Sequence, residues 1–91
     1  MTDLPFSRAV IAYVGWDTDA ALPGRHPERI PDASMRDRVL DVIKMVDAEE
    51  PGYRGLWEWG REVGDNVSSR FPQLSKEAVD AVVALISFKW R

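Results

Sequence analysis

The apolar residues of this chain recur at three- and four-residue spacing in four segments, and prolines and glycines separate these segments. This spacing is typical of α-helices that bury one face. No stretch alternates apolar and polar residues for long enough to predict a sheet. A length of 91 residues leaves room for one hydrophobic core. The sequence therefore predicts a single all-α domain over 1–91, a small antiparallel bundle of about four helices.

The first helical segment, 6–16, is the most ambiguous of the four. Its continuous apolar run, 9–14, would also suit a buried strand. No other segment offers a second strand to satisfy the hydrogen-bonding groups of a first one, so a helix is favoured. Asp3 ahead of Pro5 is a suitable helix start.

The second and fourth helices have clear start signals. The second is predicted from residue 33 or 34 to about 48, with Asp32 or Ser34 as its N-cap. The fourth starts after Ser75, another favourable N-cap residue. Because the polar stripe of the fourth helix is narrow, we expect this helix to be central and to pack against two or three others.

The third helix is predicted over 53–70 and has one continuous apolar arc. That arc comprises Tyr53, Leu56, Trp57, Gly60, Val63, Gly64, Val67 and Phe71. A glycine inside a helix costs about 1 kcal/mol of helix propensity relative to alanine. Gly60 and Gly64 at the centre of the arc therefore predict that the backbone of the fourth helix packs close to the third.

The four tryptophans divide into two predicted groups. Trp57 and Trp90 lie on apolar faces and are expected in the core. Trp59 lies at the edge of the apolar arc and Trp16 opens a long loop, so both are expected to be partly exposed. Exposed tryptophan is enriched at binding hot spots.

Trp59 is also the centre of a predicted partner-binding surface. Leu40 and Met45 lie outside the core arc of the second helix and could join it if the second and third helices pack side by side. Nearby acids would form the polar rim of such a patch. The full set is Trp59, Leu40, Met45, Asp41, Asp47, Glu49 and Glu62.

The charge distribution favours a basic protein as the partner. Residues 32–51 contain six acids and three bases, a local net charge of −3 that equals the charge of the whole chain. Such a surface steers basic partners. The leading hypothesis is a non-enzymatic protein–protein interaction module that neutralises or regulates a basic protein. Toxin-neutralising immunity and antitoxin proteins share this physical character, although no motif supports the analogy. A homo-oligomer is also compatible with the sequence.

The predicted connection between the first two helices, 15–32, supports an alternative hypothesis. It is far longer than the usual two to eight residues, and prolines recur in it at 23, 27 and 31. Arg25, His26 and Arg29 place three potential cations within five residues, which could grip a phosphate or carboxylate. The alternative is therefore a small-ligand or anion-binding regulatory domain.

Composition argues against several other classes. The chain has no cysteine and a single histidine, so we expect no metal site, no cofactor and no catalytic constellation. A net charge of −3 disfavours nucleic acid as a partner. No secretory signal or segment long enough to span a bilayer is evident, so no membrane association is expected and a cytoplasmic location is predicted.

Overall fold

The computed structural model describes residues 1–16 and 22–90. Within these ranges the chain forms only helices and connecting segments, which confirms the predicted all-α bundle. The helices are α1 (Leu4–Val14), α2 (Ala33–Asp47), α3 (Leu56–Arg70) and α4 (Lys76–Lys89), with a short 3₁₀ turn at Pro27–Arg29.

The central helix is α4, as its narrow polar stripe predicts. It packs chiefly against α1 and α3 and also touches α2. Its core positions include Ala81, Val82 and Ile86, which are fully buried. The predicted N-cap is confirmed, since Ser75 Oγ accepts a hydrogen bond from the Ala78 N–H at 3.1 Å. These contacts make α4 the element on which the other helices are assembled.

The start of α4 is also tied to α1 by a polar contact in the core. Ser7 is buried, and its Oγ accepts a hydrogen bond from the Ser75 N–H at 2.9 Å. This N–H lies at a helix start, where it has no partner within the helix. The Ser7 hydroxyl therefore satisfies a donor that α4 cannot satisfy itself.

Both ends of α1 are explained by their capping residues. Asp3 caps the N-terminus, accepting from the Phe6 N–H at 3.0 Å, as predicted. The helix ends at Val14 rather than at Trp16, because Gly15 adopts a left-handed conformation with φ of 81°. Trp16 therefore lies beyond the helix and is 47% exposed, in agreement with the expected partial exposure.

The described part of the following connection lies against the end of α1. Gly24 N–H donates to the Val14 carbonyl at 2.9 Å, and His26 N–H donates to the Tyr13 carbonyl at 2.8 Å. Ile30 then enters the core. This part of the predicted loop therefore follows the C-terminal end of α1. Residues 17–21 lie outside the described residues.

The third helix is rotated relative to its predicted apolar arc. It begins at Leu56, not at residue 53, and its buried side chains are Trp59, Val63 and Val67. It packs chiefly on α4 and only slightly on α2. Among the described helices none covers the side that carries Trp57, so this part of the predicted apolar arc faces solvent.

The predicted placement of three of the four tryptophans is therefore wrong. Trp59 is fully buried, and Trp57 is 81% exposed. Trp90, expected in the core, is 39% exposed and contacts Trp59 edge to face with 6.3 Å between ring centroids. The physical reason is that the covered side of α3 is set by its neighbours and not by hydrophobicity alone.

Candidate protein-binding groove between α3 and α4

The partner-binding surface predicted from the sequence does not form around Trp59, because this ring lies in the core. Leu40 and Met45, expected on an exposed flank, are partly buried and pack against the core. The helix α2 contacts α1, α4 and α3, so its neighbours cover more of it than the narrow predicted arc. No apolar patch therefore joins these three side chains.

Part of the predicted acidic rim does come together. Asp41, Met45 and Glu49 follow one another at four-residue spacing and line a shallow depression with Lys44 and Arg70. Two carboxylates thus lie beside two cations. The acidic character of this face is therefore locally balanced.

Asp47 lies elsewhere and is engaged in an ion pair. Its two carboxylate oxygens accept from Arg25 Nη1 and Nη2 at 2.9 and 2.7 Å, and Lys89 Nζ is 3.7 Å away. The Arg25 hydrogen bonds hold the pKa of Asp47 below its ordinary value. Glu62, the remaining predicted rim residue, forms an ion pair with Arg54.

The three side chains of the alternative anion site each have a partner within the protein. The Arg25 guanidinium is occupied by Asp47 in the bidentate pair. His26 Nδ1 lies 3.4 Å from a carboxylate oxygen of Glu28, and Arg29 Nη1 donates to the Ala12 carbonyl at 3.4 Å. These contacts direct the three side chains to different partners rather than to one shared point.

An open groove lies between α3 and α4 and is here called the α3–α4 groove. The residues that line it are Leu56, Trp57, Gly60, Arg61, Gly64, Asp65, Ser68, Lys76, Val79, Asp80, Val83 and Ser87. It lies on the side of α3 that the sequence assigned to the core.

Two glycines form the α3 wall of this groove, as the distances that a Cβ atom would have show. At Gly64 a Cβ would lie 3.3 Å from a Val83 methyl and 3.7 Å from a Val79 methyl. At Gly60 it would lie 3.4 Å from Val83 and 3.5 Å from the Ser87 hydroxyl. The predicted contact of the glycines with the fourth helix is confirmed, but the nearest atoms belong to side chains and not to the backbone.

These distances also fix the register of the two helices. Gly64 is level with the segment between Val79 and Val83, and Gly60 is level with the segment between Val83 and Ser87. Residue numbers rise along α4 as they fall along α3. The two helices are therefore antiparallel, and the groove runs along their length.

An exposed tryptophan lies at one end of the groove, and charged residues lie along it. Trp57 and Leu56 are both exposed at the start of α3. On the groove side of α3, Trp57, Arg61, Asp65 and Ser68 lie within an arc of about 80° at 100° per residue. The helix thus presents one stripe in the order aromatic, cation, anion and small hydroxyl.

Comparisons of the chain with protein-family models, with curated proteins and with solved structures give no match. The described residues contain no group of three histidine, cysteine or acidic side chains that could hold a metal ion. In the same part of the chain no helix is long and apolar enough to cross a membrane. The function is therefore inferred from the geometry of the surface.

The sequence does not predict the α3–α4 groove, although it contains a signal for it. Gly60, Gly64 and Trp57 share one apolar arc, and this arc was interpreted as core. The useful signal was the combination of a large ring with glycines on the same face. A buried face lined by glycines contributes little side-chain surface to a core, whereas an open face of this kind leaves a groove beside the ring.

Proposed function

We propose that this protein is a non-enzymatic protein-binding module and that the α3–α4 groove is its binding surface. The observation that carries the proposal is the 81% exposure of Trp57 beside a groove walled by Gly60 and Gly64. An exposed tryptophan next to a concave surface is the arrangement found at protein-binding hot spots. Charged side chains along the groove would supply the polar rim of such an interface.

The shape of the groove favours a helix as the bound element. Its two walls are antiparallel helices, and a third helix can pack into the furrow between two others through ridges and grooves. Leu56 and Trp57 at one end provide apolar anchors for such a helix, the mode in which amphipathic helices enter hydrophobic grooves. The groove is open along its length, which suits an elongated occupant.

A basic partner has less support than the sequence suggested. Asp47 is already paired with Arg25, and Asp41 and Glu49 lie beside Lys44 and Arg70. The acids therefore do not form a concentrated patch next to an aromatic anchor. We accordingly place the binding energy on Trp57 and not on the charge of α2.

Photo-crosslinking in the native cell tests which surface is bound. Benzoylphenylalanine placed at position 57 should give a covalent adduct with a protein partner after irradiation. The matched control places the same group at Asp37, an exposed position on α2 outside the groove. Adducts from position 37 but not from position 57 would contradict the proposal.

A purified pair then tests the energetic role of the tryptophan. With the partner identified by its adduct, Trp57→Ala should weaken binding by about 2 kcal/mol or more, roughly thirtyfold, in titration calorimetry. Trp16→Ala removes another exposed tryptophan, from a different surface, and should leave the affinity unchanged. Equal losses in the two variants would argue against the groove as the binding surface.

A further inference from the structure

We infer that the occupant of the α3–α4 groove is the α3 helix of a second copy of this chain, in a two-fold symmetric dimer. This inference rests on the proposed function and names its partner. In a dimer of this kind the same surface is used by both copies and must complement itself. The arrangement of charges and side-chain sizes along α3 meets that requirement.

The charges along the groove are balanced rather than of one sign. Arg61 and Lys76 contribute two cations, and Asp65 and Asp80 contribute two anions. A strongly basic or strongly acidic partner would meet like charge at two of these four positions, and like charges at an interface oppose binding. A partner surface that carries both signs in alternation can place an opposite charge at all four positions.

The stripe on α3 is complementary to itself when two copies run antiparallel. A two-fold axis level with Val63 places Arg61 of each copy opposite Asp65 of the other. The same register places Trp57 level with Ser69 and beside the adjacent Ser68, so that a large ring meets two small side chains. Parallel pairing would instead set Arg61 against Arg61, which is repulsive.

The fourth helix fits this register without further adjustment. Gly64 is level with the segment between Val79 and Val83, and this fixes which residues of the second copy's α3 lie level with which residues of α4. Its Arg61 comes level with Asp80, and its Trp57 comes level with Lys76. These are an opposite-charge pair and a cation over an aromatic ring. Both groove walls thus complement the same occupant.

A dimer of this geometry makes four helices pack around one seam. Each α3 lies in the groove of the other copy, where it covers the exposed Trp57 and Leu56 of that copy. A specific interface of standard size buries about 800 Å² on each partner. The accessible surface of the monomer is 5761 Å², so such a contact would use only a modest part of it.

The charge pairs across the two-fold axis allow a diagnostic experiment. Sedimentation equilibrium of the wild-type chain at concentrations from about 1 μM to 1 mM should show a monomer–dimer equilibrium. Arg61→Asp places Asp against Asp65 at both symmetric positions, and Asp65→Arg places Arg against Arg61. Each variant alone should lose at least tenfold in dimer affinity.

An equimolar mixture of the two variants should recover association. One copy then carries two acids and the other two arginines at positions 61 and 65, so both 61–65 pairs across the axis are of opposite charge. One of the two contacts between position 61 and Asp80 becomes a like-charge contact, so the recovery should be partial. The mixture should associate at least about threefold more tightly than either variant alone, and a mixture that remains monomeric would overturn the register. Both positions are exposed on α3, and circular dichroism should show unchanged helix content.

A further variant keeps the test independent of charge. Ser68→Trp fills the space beside Trp57 of the other copy and should also abolish dimerisation, since two large rings cannot occupy the space of one. Asp37→Arg changes an exposed charge outside the groove and should leave dimerisation unchanged. A wild-type chain that stays monomeric at 1 mM, or a Ser68→Trp chain that dimerises normally, would overturn the inference.

The outcome for the proposed function is separate. An adduct from position 57 with the mass of two chains would support self-association. A monomeric chain whose position 57 crosslinks to a different protein would refute the dimer and leave the protein-binding function standing. Absence of any adduct together with a monomeric chain would contradict both.

Discussion

Truncation to alanine should affect the stability of the protein very differently at two tryptophans that are only two residues apart. Trp59 is fully buried and contacts Trp90, whereas Trp57 is 81% exposed. Replacing a buried tryptophan with alanine costs about 3–5 kcal/mol, because transfer energy is lost and a cavity remains. A chain of this length has a free energy of unfolding of roughly 5–14 kcal/mol. Trp59→Ala therefore removes a large fraction of the total stability.

The expected cost of Trp57→Ala is close to zero. The exposed ring contributes little burial in the monomer, and alanine has a helix propensity better than that of tryptophan by a few tenths of a kcal/mol. The free energy of unfolding should therefore stay within about 0.5 kcal/mol of the wild-type value. Trp59→Phe should be milder than Trp59→Ala, since the phenyl ring leaves a smaller cavity. Either change also removes an indole N–H that is buried without a hydrogen-bond partner among the described residues, so this loss adds no cost.

Urea unfolding followed by circular dichroism at 222 nm measures these changes. With a slope of about 1.5 kcal/mol/M, Trp59→Ala should lower the midpoint by about 2–3 M. The measurement belongs at low micromolar protein concentration, where self-association does not add to stability. If the free energy of unfolding fell by less than about 1 kcal/mol in Trp59→Ala, or by more than about 1 kcal/mol in Trp57→Ala, the placement of the two rings would be refuted.

Two further predictions follow from single contacts. Gly60→Ala should stabilise the chain by about 0.5–1 kcal/mol through helix propensity. Gly64→Ala should stabilise it less, because the new Cβ would lie 3.3 Å from Val83. The denaturant midpoints of the two variants measure this difference, and equal gains would contradict the tighter contact at Gly64. Asp47→Asn should cost no more than about 1 kcal/mol at pH 7, because the pair with Arg25 is partly exposed. Since folding lowers the pKa of Asp47, its contribution to stability is present above about pH 4 and is lost as pH falls through the lowered pKa. The unfolding curves of the wild-type chain and of Asp47→Asn should therefore converge in acid. A difference that persists in acid would contradict an ionic origin of the effect.

The boundaries of most helices could be predicted from local chemistry. Asp3, Asp32 and Ser75 each accept a hydrogen bond from an N–H in the first turn of the helix they precede. Such caps depend on a few adjacent residues and need no knowledge of the rest of the fold. The end of α1 was missed by two residues because Gly15 was not interpreted as a left-handed C-cap.

The surface for binding could be predicted much less well. The proposed anchor Trp57 was assigned to the core, and Trp59 to the surface, from the same helical wheel. A wheel shows which residues share a face, but it does not show how much of that face a neighbour covers. The position of α4 against Gly60 and Gly64 decides this, and it leaves the side with Trp57 open.

The pairing of charges was likewise beyond the reach of the sequence. Arg25 and Asp47 are 22 residues apart, and they meet because the connection after α1 returns along its C-terminal end. No local spacing indicates such a pair. As a result, Arg25, which was expected in an anion site, pairs with Asp47, which was expected in an acidic rim.

The sequence by itself determined that this chain forms helices, where most of them begin, and that α4 is central, because capping and helical periodicity act over one or two turns. Only the tertiary structure decided which side of α3 is covered, which charges are paired and where an open groove remains. Those outcomes depend on contacts between residues far apart in the chain. Trp57 and Trp59 have the same side chain, so only the position of a neighbouring helix distinguishes the exposed ring from the buried one.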